Sequence, residues 1–519
     1  MHFTYRRFFS FIILFSYCFF VATSHAAPRQ YSSVDDFIQK QNIVRVCMTD
    51  GDNYGDQAGT MNVMSALRKM GFTGAFEVIY DKAIANKMST LFGLPQNLPP
   101  VYEDQANKIT FYEMTAQNDR IKNNTAPLVD LGLSVGKTAE ICDPTDPTSA
   151  TQAYTQTFVQ FSPYFDSRGG SYDETDIELM NGKSIHQKDS GKKYFVFPVS
   201  TYADAKNYLL NDANGKVLLE QKPALMTFLE GMERKDFNVL PVYGRTLRFI
   251  DHYDELQGSP SPSNILQTLA GAHDAQLIGM PPFQKGLIIA VFDRFQPYAE
   301  NLLHLMQSND WGFYEKEGAD RARQAIHDLK LSQVISVADV DDVNTIDKIK
   351  SLTKGQMLIL SLGTLPKMVF DGLYTHTDSN IWPQVREGAG SFSTLILTGR
   401  PHFECGDAMS FYTPYNWTAG FDLIADEKLK TAMQTFYDAK NGYCGCTYDK
   451  HDPSKTNCLI SWGKYTNYQQ FGQFVLAAND PSSPLSLYFQ ALKADALKPE
   501  NDRIRYALEG VMDVLNQNG

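Results

Sequence analysis

The sequence predicts an α/β protein with two Rossmann-like domains facing across a cleft, closed by a C-terminal helical segment. Three observations lead there. The continuous apolar run Gly286–Phe292 is a strand of the doubly covered, parallel type, and Ile43–Met48 and Met357–Leu362 read as further strands. These runs alternate with helical patterns, the signature of crossover-linked parallel sheets. The alternation starts twice in a chain of 519 residues, more than one ordinary domain holds.

The first series opens with the strand at Ile43–Met48. An acidic, glycine-bearing loop over Thr49–Gly59 follows, then a helix from about Thr60 to Met70 and a strand at Phe76–Tyr80. Another strand is expected at Leu128–Leu131. Residues 143–192, rich in Asp, Pro, Ser, Thr, Gln and Gly, read as a surface insertion. Lys193–Pro198 is a β run, helices are expected at Lys206–Leu210 and Pro223–Arg234, and Asn238–Tyr243 is a strand of this first series. After the linker-like QGSPSPSN (257–264), the second series alternates strands at Gly286–Phe292, Val334–Val337 and Met357–Leu362 with helices, including Leu365–Tyr374 and one holding Thr394–Leu397. The division is therefore 1–26 signal peptide, 27–285 first domain, 286–482 second domain and 483–519 helical segment.

Arg6 and Arg7 precede the apolar run Phe8–Val21, and Ser24-His25-Ala26 supplies small residues for cleavage. This predicts export, to the periplasm or the medium; an uncleaved signal would be the one membrane attachment. Losing the two arginines takes the formal net charge from −12 to −14. So acidic a chain is not expected to bind nucleic acid or anionic membrane surfaces. Cys18 leaves with the signal, and six cysteines remain: Cys47, Cys142, Cys405, Cys444, Cys446 and Cys458. An even count in an exported chain predicts disulfides, with the last four pairing among themselves and Cys47 left for Cys142. A zinc site from Cys444, Cys446, Cys458 and His451 is the rival reading.

The first loop carries Asp50, Asp52 and Asp56. Carboxylates repel phosphate, so this is no phosphate cradle. At the carboxyl end of a first strand they suit a general base, and Asp52 or Asp56 is the candidate. The alternative is an acidic surface loop in which Asp56 or Thr60 caps the helix. In the second series, Glu387, Gly388, Gly390, Ser391 and Phe392 precede and open a helix. Backbone N–H groups there suit a diphosphate without metal, and Glu387 suits a hydroxyl pair; a plain turn capped by Ser391 is the alternative. Gly363-Thr364 follows a strand directly and is a candidate base or phosphate contact. Arg245 and Arg400 are candidate acceptor or phosphate cations, with Arg386 and His402 nearby. Trp382 and Phe283 offer rings for stacking a base or for the core. Dinucleotide, Walker-type, nucleophile-elbow and H-E-x-x-H motifs are absent from the sequence.

DNYGDQAG (52–59) resembles the DNFGD-x-G loop of the elongation-factor-P arginine rhamnosyltransferases, Asp52 and Asp56 matching its two aspartates. REGAGSFSTLILTGRPHF (386–403) is similar to that family's R-G-E-D-S-F segment, Ser391-Phe392 and Gly399/Pro401 matching, with Ala389 where the family has its glutamate. The resemblance implies a GT-B glycosyltransferase fold, an acidic acceptor-activating loop and a donor-binding helix.

These readings together predict an exported, metal-independent, inverting glycosyltransferase. It would use a nucleotide sugar as co-substrate, no further cofactor, and a glycan or protein acceptor. The other two classes are a non-catalytic glycan- or nucleotide-binding relative and a secreted hydrolase with paired carboxylates.

Overall fold

The structure is a computed structural model, which describes residues 30–48, 54–136, 154–161, 174–180, 183–188, 194–243, 273, 276, 283–292, 327, 330–386, 389–404, 446–447, 457–458 and 475–518. Residues 1–29, which hold the expected signal peptide, and Asp50, Asp52, Arg245, Glu387, Gly388, Cys142, Cys405 and Cys444 lie outside them.

The first unit runs α1 (Val34–Gln39), β1 (Ile43–Cys47), α2 (Gly55–Lys69), β2 (Ala75–Tyr80), α3 (Ala85–Phe92), β3 (Val101–Asp104), β4 (Ile109–Glu113), α4 (Met114–Lys122), β5 (Val129–Val135), β6 (Thr155–Phe161), β7 (Glu174–Leu179) and β8 (Ser184–Lys188). Its sheet has the order β3-β4-β2-β1-β5-β6-β7-β8, with β4, β2, β1, β5 and β6 mutually parallel. The chain leaves β1 toward β2 and later returns to β5 on the other side. The switch in direction therefore lies between β1 and β5, where doubly wound sheets bind ligands. Val44, Val46, Leu131 and Leu133 alternate onto one face, where Val63 and Leu67 of α2 help to bury them.

The second unit continues with α5 (Tyr202–Asn211), α6 (Ala213–Gln221), α7 (Leu225–Arg234), β9 (Asn238–Tyr243), β10 (Leu287–Val291), β11 (Ile335–Asp339), α8 (Thr345–Lys350), β12 (Met357–Ser361), α9 (Lys367–Tyr374), β13 (Val385–Arg386), α10 (Ala389–Thr398) and β14 (Phe403–Glu404). Its sheet is wholly parallel among the described residues, in the order β11-β12-β10-β9-β13-β14. The direction switches between β9 and β13. A small separate pair, β15 (Cys446–Thr447) and β16 (Asn457–Cys458), sets Cys446 opposite Cys458 in register. The helices α11 (Pro484–Ala496) and α12 (Arg503–Asn518) close the chain.

Four expectations are corrected. Asn238–Tyr243 pairs with β10 and so belongs to the second sheet, because its apolar residues join that core along with α5 and α7. The stretch 143–192 is no mere surface insertion: it supplies β6, β7 and β8, and Phe158, Val159 and Phe161 are buried in the first sheet. Its Thr and Gln positions disguise a strand whose β-branched threonines favour the pleat. Among the described residues of the run Lys193–Pro198, Tyr194 forms an isolated bridge to Asp502 in place of a strand. The final helix α12 is not apart from the domains: Ile504, Leu508 and Val511 complete the first core.

The helices α2 and α3 leave the carboxyl edge of the first sheet, and α9 and α10 leave that of the second. Helix α2 packs on α10, and α3 packs on α9. The two carboxyl edges are thereby turned toward each other, a GT-B-like arrangement. Tyr208 of α5 ties the units by donating its hydroxyl to Gly93 O at 3.2 Å. The second core is dense, with Leu358, Ile359 and Leu360 of β12 wholly buried. Leu360→Ala is expected to cost about 2–5 kcal/mol, measurable by urea unfolding, because the removed methyl groups leave a cavity that the flanking strands cannot fill.

Candidate active site

The first half of the site is the β1–α2 junction. Helix α2 begins at Gly55, so Asp56 stands in its first turn and not in the preceding loop; Tyr54 is the N-cap and makes no side-chain capping bond. The capping role considered for Asp56 or Thr60 therefore does not apply. The Thr60 hydroxyl donates to Asp56 O at 3.0 Å and accepts from Val135 N at 3.3 Å, locking α2 across the switch point onto β5. The sequence missed this early start because Gly and Asp at 55–59 have the composition of a loop.

Gly136, just after β5, faces Asp56. A Cβ there would lie 2.6 Å from the Asp56 carboxylate, and the φ of +90° suits glycine. Its backbone is fixed from β6, with its N–H on Phe161 O at 2.9 Å and the Gln160 amide donating to its carbonyl at 3.2 Å. The half-buried Asp56 carboxyl is pushed up to about 6 by burial, with Lys87 of α3 acting in the opposite sense. Lys87 itself lies 5.0 Å over the Tyr54 ring. A carboxyl that titrates near 6 is ionised at neutral pH yet basic enough to accept a proton, as a general base must.

The second half is the β13–α10 junction. Arg386 pairs in register with Tyr243 at the end of β9, which puts the carboxyl end of β13 at the second switch point. Helix α10 opens at Ala389, so Gly390 and Ser391 lie in its first turn, where backbone N–H groups lack helical acceptors. Ser391 is buried. Arg400, at the far end of the helix, is directed inward. It donates to Ile381 O at 2.5 Å, Asn479 Oδ1 at 2.9 Å and His376 O at 3.4 Å, and burial lowers its pKa to about 10. That guanidinium braces the chain at 376–381. His402 is buried beside Phe489, and Trp382 meets Phe283 edge-on at 5.1 Å, both rings wholly buried, so these aromatics serve the core.

Gly363 follows β12 with φ +63°, and Thr364 is partly exposed beside it. The sequence reading missed their neighbour Lys222, whose Nζ lies 2.8 Å from Asp341 Oδ1. It also missed Lys87 and Gly136. The signal for Gly136 was a glycine directly after an apolar strand run; the two lysines carry no local signal, because each reaches its place through tertiary packing.

The packing of α2 on α10 brings the two motif-bearing helices together. Asp56 and Ser391 each occupy the first turn of one of them, and each turn stands at the switch point of its own sheet.

No protein-family model matches the chain, and no curated protein matches it. Among solved structures, an α,α-trehalose-phosphate synthase (UDP-forming) from Burkholderia vietnamiensis aligns at 9% identity and TM-score 0.31, covering 91% of this chain and 98% of that one. The UDP-GlcNAc 2-epimerase of Methanocaldococcus jannaschii aligns at 11% identity and TM-score 0.29, covering 70% and 83%. The N-terminal domain of Candida albicans trehalose-6-phosphate phosphatase aligns at 9% identity and TM-score 0.34, covering 93% and 98%. Superpositions this loose carry no argument about activity; the architecture stands on the strand order and the facing carboxyl edges.

Proposed function

We propose that the chain is an exported, inverting glycosyltransferase that works without a metal ion. The observation that carries this reading is the meeting of α2 and α10, with a carboxyl raised toward neutrality in one first turn and Gly390 and Ser391 in the other. Asp56, or Asp52 ahead of it, takes the proton of the acceptor hydroxyl. The acceptor oxygen attacks the anomeric carbon of the donor, and the bond from that carbon to the nucleoside diphosphate breaks with its electron pair. The leaving diphosphate rests on the N–H groups of Gly390, Ser391 and Phe392, which stabilise its charge. Glu387 holds a hydroxyl pair of the donor. The acceptor is a glycan or protein outside the cytosol, and the remaining cysteines are oxidised there. Cys47 is disulfide-bonded, and the register of Cys446 with Cys458 favours those two as another pair.

The test is thermal denaturation of the mature, oxidised protein with a panel of nucleoside diphosphates and nucleotide sugars. Saturation at a hundredfold excess over Kd adds about 2.7 kcal/mol, a rise of several degrees. This is expected with one nucleotide family and is expected to be lost in a Glu387→Ala/Gly390→Pro variant, which removes the hydroxyl-pair acceptor and a first-turn N–H. Equal melting with every nucleotide would remove the donor site and leave glycan binding as the surviving reading.

A further inference from the structure

We infer that Lys222 is the core of a second anion subsite, at the carboxyl edge of β11 and β12, which takes a phosphoryl group and holds Asp341 in its place when empty. This goes beyond the donor site at α10 and does not rest on it.

The placement comes first. Lys222 ends α6, and the chain turns there into α7, with Ala224 N donating to Val340 O just past β11. The ammonium therefore sits over the edge at which doubly wound sheets receive ligands. From β12 to β13 the order is β12-β10-β9-β13, three strand spacings, or roughly 14 Å at ~4.8 Å per strand. One diphosphate cannot touch both Lys222 and the first turn of α10.

The chemistry of the ammonium comes second. The Lys222 side chain is only 8% exposed, whereas Asp341 is 51% exposed. A lysine has three donors, and among the described residues the Asp341 carboxylate takes one of them, at 2.8 Å. Burying a cation is costly unless its donors are met, so an ammonium this enclosed has room for a stronger acceptor than one monodentate carboxylate. Because most of Asp341 faces solvent, it can swing away at little cost.

The approach to the ammonium comes third. Gly363 borders it with φ +63°, and a Cβ on that residue would stand 2.8 Å from Nζ. The glycine leaves open the side of the ammonium that any other residue would cover. Thr364 follows and supplies a hydroxyl. An unshielded lysine point charge beside a glycine turn and a hydroxyl suits a tetrahedral phosphoryl group.

The experiment is isothermal titration of the full mature chain with inorganic pyrophosphate, at neutral pH and fixed ionic strength. Binding is expected in the unaltered protein. Lys222→Met is expected to weaken it at least about tenfold, and Asp341→Asn to tighten it about tenfold by removing the competing carboxylate. A damaged fold cannot produce tightening, so the second variant keeps the test decisive. No pyrophosphate binding, an unchanged Lys222→Met, or an Asp341→Asn that binds no tighter would each overturn the inference. Loss of binding in Gly390→Pro, which removes a first-turn N–H, with Lys222→Met unaffected would place the anion at α10, and the inference would fail while the proposed function stood. Loss in Lys222→Met with no nucleotide response at α10 would give the reverse.

Discussion

Asp56→Asn is expected to cut sugar transfer by about 10²–10⁴-fold, the usual contribution of a positioned general base, and at the same time to make the protein more stable above neutral pH. The two effects share one cause. Burial raises the Asp56 pKa from 3.8 to about 6, so the folded protein holds this proton more tightly than the unfolded chain does. The stability drawn from the proton is fully present below pH 3.8 and is lost as the pH rises through about 6. The ionised form, the one able to accept a proton, is thus the form that costs stability. The amino-terminal end of α2 favours the carboxylate and opposes this, but within the first turn such an effect is worth only about 0.3–1 kcal/mol. Asparagine keeps the shape and removes the charge. Transfer, or donor hydrolysis without acceptor, should rise along an acid limb near pH 6 in the unaltered protein and lack that limb in the variant. A variant as active as the parent, or one destabilised above neutral pH, would return Asp56 to a structural role.

Glu77→Gln is expected to destabilise the first domain by about 3–5 kcal/mol, the cost of leaving a buried charge without its partner. Arg45 in the middle of β1 is wholly buried, and its Nε donates to Glu77 Oε2 at 2.7 Å. Its other nitrogens donate to Tyr154 O at 2.7 Å and Pro127 O at 2.6 Å. Arg120 reaches the second Glu77 oxygen at 2.9 Å. One carboxylate therefore serves two guanidinium groups. Burial already lowers the Arg45 pKa, and the Glu77 charge is the main influence opposing it. Glutamine keeps one acceptor oxygen but turns the other into a donor facing a cation. Urea unfolding of the variant measures the loss. A loss below about 1 kcal/mol, the value of an exposed pair, would mean that water reaches Arg45.

That ion network also marks where sequence reading stopped. The strands β1, β2, β10 and β12 were legible because short, mostly apolar runs have few other uses, and α9 and α10 were legible from their helical period. Arg45 and Glu77 each interrupt such a run at its third residue, and they are cross-strand partners in the β1–β2 register. A charge at the same place in two neighbouring buried strands was visible, but the register that joins them was not. β6 was missed because Thr and Gln gave its neighbourhood the composition of a loop. β9 was found but assigned to the wrong sheet, since an apolar strand looks alike on either side of a boundary. At the site, the sequence supplied the two motif segments and the chemistry to expect of them. It did not supply the start of α2 at Gly55, the burial that tunes Asp56, or the inward turn of Arg400, all of which depend on contacts between distant residues.

The return of α12 to the first core bears on how the chain is made. Tyr31 and Asn516, 485 residues apart, clasp each other through two backbone-to-amide hydrogen bonds, and Arg505 reaches Asp35 at 2.9 Å. The first domain is thus closed by a helix that is made after every strand of both sheets. Domains made in order ordinarily fold in order. Here the second core can be complete while the first still exposes the apolar face that α12 will cover. The unit that carries Asp56 therefore cannot close its core before α12 has been made.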